Sequence, residues 1–151
     1  MKRIVILGSS GTGKTTFGRQ LAEKLGVNVL HLDSVYWEKD WHNLDKEAFY
    51  KYMKQYLTKH DNWVIDGNYT NNEHFKHRLD LADAIIILDF GKQVSLQGIH
   101  RRANEFKHQV RSDMAEGCFE GIDQVFLKYV AGFDEVKGKY LKALAKQYEN
   151  K

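Results

Sequence analysis

Hydrophobic and polar positions along the chain follow two different periods. Four short apolar runs stand apart: Lys2–Leu7, Asn28–Leu32, Trp63–Ile65 and Ala84–Leu88. The first is nearly all apolar and rich in β-branched residues, as a central parallel strand requires. Between and after these runs the apolar residues recur at helical spacing. Phe17, Leu21 and Leu25 repeat every four residues and predict a helix over about Gly13–Leu25, with Gly26 suited to its C-terminal cap. Phe49, Tyr52, Met53, Tyr56 and Leu57 make one face of a helix from about Asp45, with Lys46, Lys51, Lys54 and Lys59 largely off that face. Thr70 and Glu73 read as a capping box for a helix through Phe75 and Leu79. Ile99, Ala103, Phe106 and Val110 predict one long helix, interrupted by the polar stretch Arg111–Gly121. Two more helical patterns, about 122–132 and 134–148, follow. Strands alternating with helices predict an α/β fold, a parallel sheet covered by helices on both faces in three α/β/α layers. Ligands of such sheets bind beyond the carboxyl ends of the strands.

Composition narrows the class. A chain of 151 residues with 42% hydrophobic content predicts a single domain with a real core, 1–151. The charge balance of 23 basic against 20 acidic residues is too even to indicate direct nucleic-acid binding. Cys118 is the single cysteine, so no internal disulfide forms and a reducing, cytoplasmic setting is expected. No apolar run reaches membrane-spanning length. With no proline in the chain, loops must turn on Gly, Asn and Asp.

The first run leads straight into Gly8-Ser9-Ser10-Gly11-Thr12-Gly13-Lys14-Thr15-Thr16, a full match to G-x-x-x-x-G-K-[ST] in strand–turn–helix context. Glycines let the backbone approach a ligand closely, and successive N–H groups form an anion nest at a helix N-terminus. The expected ligand is ATP with Mg²⁺. Gly8 to Thr16 would cradle the phosphates, Lys14 would reach the β- and γ-phosphates, and the Thr15 hydroxyl would serve the metal.

Three aspartates, Asp33, Asp66 and Asp89, close apolar runs. Asp66 and Asp89 compete for the metal-side role: Asp89 follows the longer run, whereas Gly67 lets the backbone after Asp66 pass close to a ligand. Asp33 could align or deprotonate an acceptor hydroxyl, or merely cap a loop. Tyr36, Trp37 and Trp41 line an acceptor pocket or belong to the core. Arg101, Arg102 and Arg111 are candidates for neutralising phosphoryl charge. Adjacent helix positions diverge, so only one of Arg101 and Arg102 should face the phosphates. Arg78 could grip an anionic acceptor or form a surface salt bridge. The seven histidines show no metal-ligand spacing, and Cys118 has no activating neighbour.

Taken with His31-Leu32-Asp33, Asp66-Gly67-Asn68-Tyr69, Arg78-Leu79 with Ala82-Asp83, and Asp113-Met114-Ala115-Glu116-Gly117-Cys118, the chain resembles the DNA topology modulation proteins, adenylate-kinase-like P-loop NTPases. The resemblance covers residue 2 to about 133. It implies a nucleoside-monophosphate-kinase-like fold with the third strand beside the first, which favours Asp66 over Asp89. It also implies a helical arginine lid over about 101–120. Asp66-Gly67 is similar to the start of the Asp-Gly-Phe-Pro-Arg motif of adenylate kinases, but Asn68-Tyr69 stands where Phe-Pro-Arg should follow. AMP is therefore not the expected acceptor. A fifth strand usual in such folds is not seen after Asp89, so base specificity is left open. The expected site joins Lys14, Asp33, Arg102 and Arg111 as catalytic residues, Arg101 with the loop on the nucleotide, Thr15 and Asp66 on the metal, and Asp33, Trp37, Asp66, Gly67, Asn68 and Arg78 on the acceptor. Two readings follow: a small-molecule kinase acting on a nucleotide, nucleoside or other small acceptor, or a slowly hydrolysing nucleotide-binding regulator linked to DNA topology. The oligomeric state is not readable from these residues.

Overall fold

The computed structural model describes residues 2–71 and 73–151. Four strands, β1 (Arg3–Gly8), β2 (Asn28–His31), β3 (Trp63–Asp66) and β4 (Ala84–Leu88), form a parallel sheet in the order β2-β3-β1-β4. The third strand thus lies against the first, with Ile6 opposite Asp66. The sequence pattern gives β2 as ending at Leu32; it stops at His31, with Leu32 N–H making the last ladder bond to Asp66 O at 2.8 Å.

Strand alternation builds the two covered faces. Val5, Leu7, Trp63 and Ile65 point to one side, where they join Phe49 and Met53 of α3 (Lys46–Lys59), Phe75 and Leu79 of α4 (Glu73–Leu81), and Leu141 and Leu144 of α7 (Lys139–Gln147). Ile6 and Val64 point to the other side, against Ala22 and the half-buried Phe17 and Leu21 of α1 (Lys14–Leu25). A single turn α2 (Asp33–Tyr36) follows β2, α5 (Gly91–Glu105) follows β4, and α6 (Gln124–Ala131) precedes α7, with one π-helical turn, Asp134–Gly138, leading into α7. The fold is α/β, a parallel sheet with helices on both faces. Among the described residues no helix is long and apolar enough to cross a membrane.

Two elements depart from the sequence pattern. Helix α5 ends at Glu105 rather than running through Val110, because Phe106 leaves helical geometry and His108 takes a left-handed φ of 58°. Val110 instead pairs with Phe119 as an isolated antiparallel bridge, so the apolar spacing there serves a folded-back loop. Helix α4 begins at Glu73, and Thr70 Oγ1 is engaged with Asn71 Oδ1 and Lys137 Nζ rather than in a capping box. Residue 72, the position before the helix, lies outside the described residues.

Two contacts fix what sits over the phosphate loop. Helix α5 packs backbone to backbone on it: a Cβ at Gly98 would lie 1.9 Å from Gly11 O, and one at Gly11 would lie 2.2 Å from Ser95 O. The segment after α5 is held by charge. Glu120, buried, accepts from Arg102 Nε at 2.7 Å and lies 2.9 Å from Arg111 Nε, while Arg111 Nη1 donates to Asp113 at 2.8 Å. The Arg111 Nε contact is close but not aligned as a hydrogen bond.

Gly98→Ala should lower unfolding stability by about 1–3 kcal/mol, since a backbone carbonyl cannot yield to the new methyl as a flexible side chain would. A urea denaturation midpoint unchanged from wild type would contradict this packing. Glu120→Gln should leave two cations without their shared carboxylate and loosen the segment by about 1–3 kcal/mol. Amide hydrogen exchange over residues 106–121 should speed up while exchange in β1 and β3 stays constant; uniform exchange would show that the ion pairs do not hold the segment.

Candidate functional site

The site lies at the carboxyl ends of β1, β2 and β3. The loop after β1 folds as its motif requires, with left-handed glycines at Gly11 (φ 81°) and Gly13 (φ 88°) and Phe17 N–H closing the first turn of α1 on Gly13 O at 2.9 Å. Ser9 O is the loop's inner acceptor, taking Thr12 Oγ1 and Lys14 Nζ, each at 2.7 Å. Ser10 and Thr16 complete the loop's rim, with Thr16 exposed. Burial pushes the Lys14 ammonium below its ordinary pKa; Asp66 and Asp33 oppose that shift, and Arg102 adds to it. Those influences locate one lysine among two carboxylates and a guanidinium.

Asp66 is buried at the end of β3, and its Oδ2 accepts from Thr15 Oγ1 at 2.9 Å. His31 Nδ1 lies 3.1 Å from the same oxygen. Asp66 Oδ1 is buried with no partner. A hydroxyl beside a carboxylate with a free oxygen suits Mg²⁺, a hard cation that takes few protein ligands beside phosphates and water. The residues present therefore fit the metal on a nucleotide. Among the described residues no cluster of three or more His, Cys, Asp or Glu could hold a metal by itself. Asp89 is engaged elsewhere, 3.0 Å from Lys142 Nζ on α7.

Asp33 opens α2 and is exposed, with Oδ1 accepting from Tyr69 Oη at 2.5 Å. Burial first, and Asp33 next, push the Tyr69 phenol far above its ordinary pKa, so it stays a donor. Tyr69 is one of a run of rings: Tyr36 lies 4.7 Å from it, Phe49 5.4 Å from it, and Trp37 5.0 Å from Tyr36, by centroids. Trp37 is half-buried at the outer end of that run, 5.5 Å from Trp41. The arginine-bearing segment touches the same loop: Asp40 N–H donates to Glu116 O at 3.3 Å and Cys118 Sγ to Glu38 O at 3.2 Å.

The remaining sequence candidates divide. Arg102 is near enough to influence Lys14, whereas Arg101 on the same helix is exposed; adjacent positions diverge as expected. Arg111 faces Asp113 and Glu120. Arg78 is fully buried rather than at the surface, its Nη2 donating to Gly67 O at 2.8 Å and to Asn68 O. Burial pushes this guanidinium down to about 9, so it remains charged at neutral pH. Its Nε and Nη1 have no hydrogen-bond partner, and the Phe75 ring lies 5.1 Å below. The Asn68 side chain is directed at the phosphate loop, accepting from Gly8 N–H at 3.0 Å and donating to Gly8 O at 2.8 Å. Sequence reasoning missed His31 and Tyr69 as partners of the two carboxylates. Their only signal was adjacency, His31 two residues before Asp33 and Tyr69 three after Asp66.

Comparison with known proteins gives these likenesses. The family model for shikimate kinase matches residues 10–75. The chain is 26% identical over 135 residues to the uncharacterized protein YqaC of Bacillus subtilis, covering 88% of this chain and 73% of that protein. It is 27% identical over 124 residues to a candidate adenylate kinase of Methanocaldococcus jannaschii, covering 76% of this chain and 66% of that protein. Aligned on the structure of an Acinetobacter baumannii shikimate kinase in complex with shikimate, it covers 98% of this chain and 96% of that one at 18% identity and a TM-score of 0.49. The link to DNA topology modulation proteins rests on the sequence resemblance alone. The chain is similar to shikimate-kinase-like and adenylate-kinase-like P-loop proteins.

Proposed function

We propose that the chain is a P-loop phosphotransferase that moves the γ-phosphoryl of ATP to a hydroxyl of a small acceptor. The observation that carries this reading is the pair of carboxylates around Lys14. One, Asp66, is buried and shares a hydrogen bond with Thr15; the other, Asp33, is exposed beside the aromatic run. A nucleotide switch or binding regulator needs the first and has no use for the second. The similarity to kinases of small acceptors points the same way.

Thr15 and Asp66 would hold Mg²⁺, which supplies charge neutralisation between the phosphates when bound. Gly8 to Thr16 would present N–H groups to the phosphates, and Lys14 would follow the charge on the transferred group. Asp33 would orient the acceptor hydroxyl and take its proton, with Tyr69 fixing one carboxylate oxygen so that the other faces the acceptor. Arg102 would meet charge on the equatorial oxygens, with Arg111 behind it and Arg101 at the nucleotide's outer side. Trp37 would wall the acceptor, and Gly67, Asn68 and Arg78 would shape the loop beneath it.

The reading is tested by ADP release from ATP·Mg²⁺ across a panel of polyols, hydroxy acids, nucleosides and nucleotides. Acceptor-dependent ADP is expected for at least one class. Tight ATP binding with no acceptor-dependent ADP across the panel would sink the kinase reading in favour of a nucleotide-binding regulator. With an acceptor in hand, Asp33→Asn should cut turnover by about a hundredfold or more while ATP affinity changes little. Lys14→Ala should remove tight ATP binding by calorimetry; unchanged affinity would mean that the loop does not hold the nucleotide.

A further inference from the structure

The Asn68 side chain sits where the sheet runs out. Between β1 and β3 the parallel ladder continues one step past the strands: Gly67 N–H donates to Ile6 O at 3.2 Å. In an evenly spaced parallel ladder the next step pairs Gly8 N–H with Gly67 O, and Gly8 O with the N–H of residue 69. Neither bond forms. Gly67 has φ 135°, a conformation closed to other residues, and a Cβ there would lie 2.9 Å from Leu32 Cβ. That turn swings Gly67 O away to Arg78 Nη2. The Asn68 amide fills both vacated places. Its Oδ1 takes Gly8 N–H at 3.0 Å in place of Gly67 O, and its Nδ2 donates to Gly8 O at 2.8 Å in place of the residue 69 N–H. The orientation of the amide is unambiguous, since Gly8 offers one donor and one acceptor.

We infer that Asn68 is a positioning residue for nucleotide binding, a side-chain amide that acts as the last rung of the β1–β3 ladder and fixes Gly8, the first residue of the phosphate loop. Arg78 anchors the other end by holding the carbonyls of Gly67 and Asn68. A chain of contacts then runs from buried Arg78 through the 67–68 backbone and the Asn68 amide to Gly8. Gly8 itself has no freedom on its other side, where a Cβ would lie 2.5 Å from Leu88 O. The bond is not a local turn device, because the partners are 60 residues apart. It also assigns Asn68 to the nucleotide side and not to contact with the acceptor. Asparagine is specified by this geometry: aspartate would keep the Gly8 N–H bond but set a carboxylate oxygen against Gly8 O, and alanine would leave both Gly8 groups unpaired.

The inference rests on the reading of residues 8–16 as a nucleotide loop, and the test separates the two. ATP·Mg²⁺ affinity is measured by calorimetry for wild type, Asn68→Ala and Asn68→Asp, and Gly8 amide exchange is followed by NMR in the same proteins. Both variants should lose about tenfold or more in ATP affinity, Asn68→Asp at least as much as Asn68→Ala. Gly8 amide protection should fall in Asn68→Ala and be retained in Asn68→Asp, while protection of Val5 and Ile65 is kept in both as the sign of an intact fold. Wild-type ATP affinity preserved in both variants would overturn the inference, as would Gly8 protection unchanged in Asn68→Ala. If wild type itself binds no ATP, the nucleotide-loop reading fails, and the Gly8 exchange pattern still decides whether the amide is the last rung. Where an acceptor is known, a raised acceptor KM with unchanged ATP affinity would make Asn68 an acceptor contact and refute the assignment.

Discussion

The site depends on the parallel ladder between β1 and β3. Parallel pairing brings the carboxyl ends of both strands to one edge, so the residue after β1 and the residue ending β3 become neighbours. The register puts Ile6 opposite Asp66, and from there Thr15, the second residue of α1, reaches the Asp66 carboxylate. A slip of one residue would turn Asp66 to the other face of the sheet and bring Ile65 toward Thr15. Such a slip is opposed on both faces, since Trp63 and Ile65 are buried on one and Val64 on the other. The hydrophobic core and the position of the Asp66 carboxylate are therefore set by the same register.

Around that ladder, close backbone approach does on one side what ion pairing does on the other. The phosphate loop cannot move toward α5, because Gly98 and Gly11 already meet without side chains between them. The segment beyond α5 has little apolar anchorage of its own, with Phe119 and Ile122 exposed, and instead relies on Glu120 and Asp113 to pair Arg102 and Arg111. Two carboxylates against two guanidinium groups leave the cluster near neutral. A buried pair of this kind adds little net stability but makes the alternative, one partner removed, costly. It specifies one arrangement of the segment against the loop of residues 38–40.

Much of this was legible in the sequence. Short continuous apolar runs marked the strands, helical apolar spacing marked α1 and α3, and the glycine pattern marked the phosphate loop, because each is encoded within a few residues. The preference for Asp66 over Asp89 needed the strand order, which the family resemblance supplied and the pairing of β1 with β3 reproduces. What stayed hidden were contacts between side chains and distant backbone. Arg78 reads as an acceptor grip or a surface salt bridge, yet it lies fully buried with two turned carbonyls facing it. Asn68 reads as an acceptor contact, and only the geometry 60 residues away shows its partner. The end of α5 was misread because Phe106 and Val110 keep helical spacing while serving a folded-back loop.

The two aspartates show how one residue type is given two roles by environment alone. Asp66 is enclosed, with Thr15 and His31 on one oxygen and no hydrogen-bond partner on the other. Asp33 is exposed, and a phenol that burial keeps protonated occupies one of its oxygens. The charges of both aspartates oppose the effect of burial on the Lys14 ammonium. On the proposed reading, the second carboxylate, more than the presence of the glycine-rich loop, is what would distinguish a site for transfer from one that only holds a nucleotide.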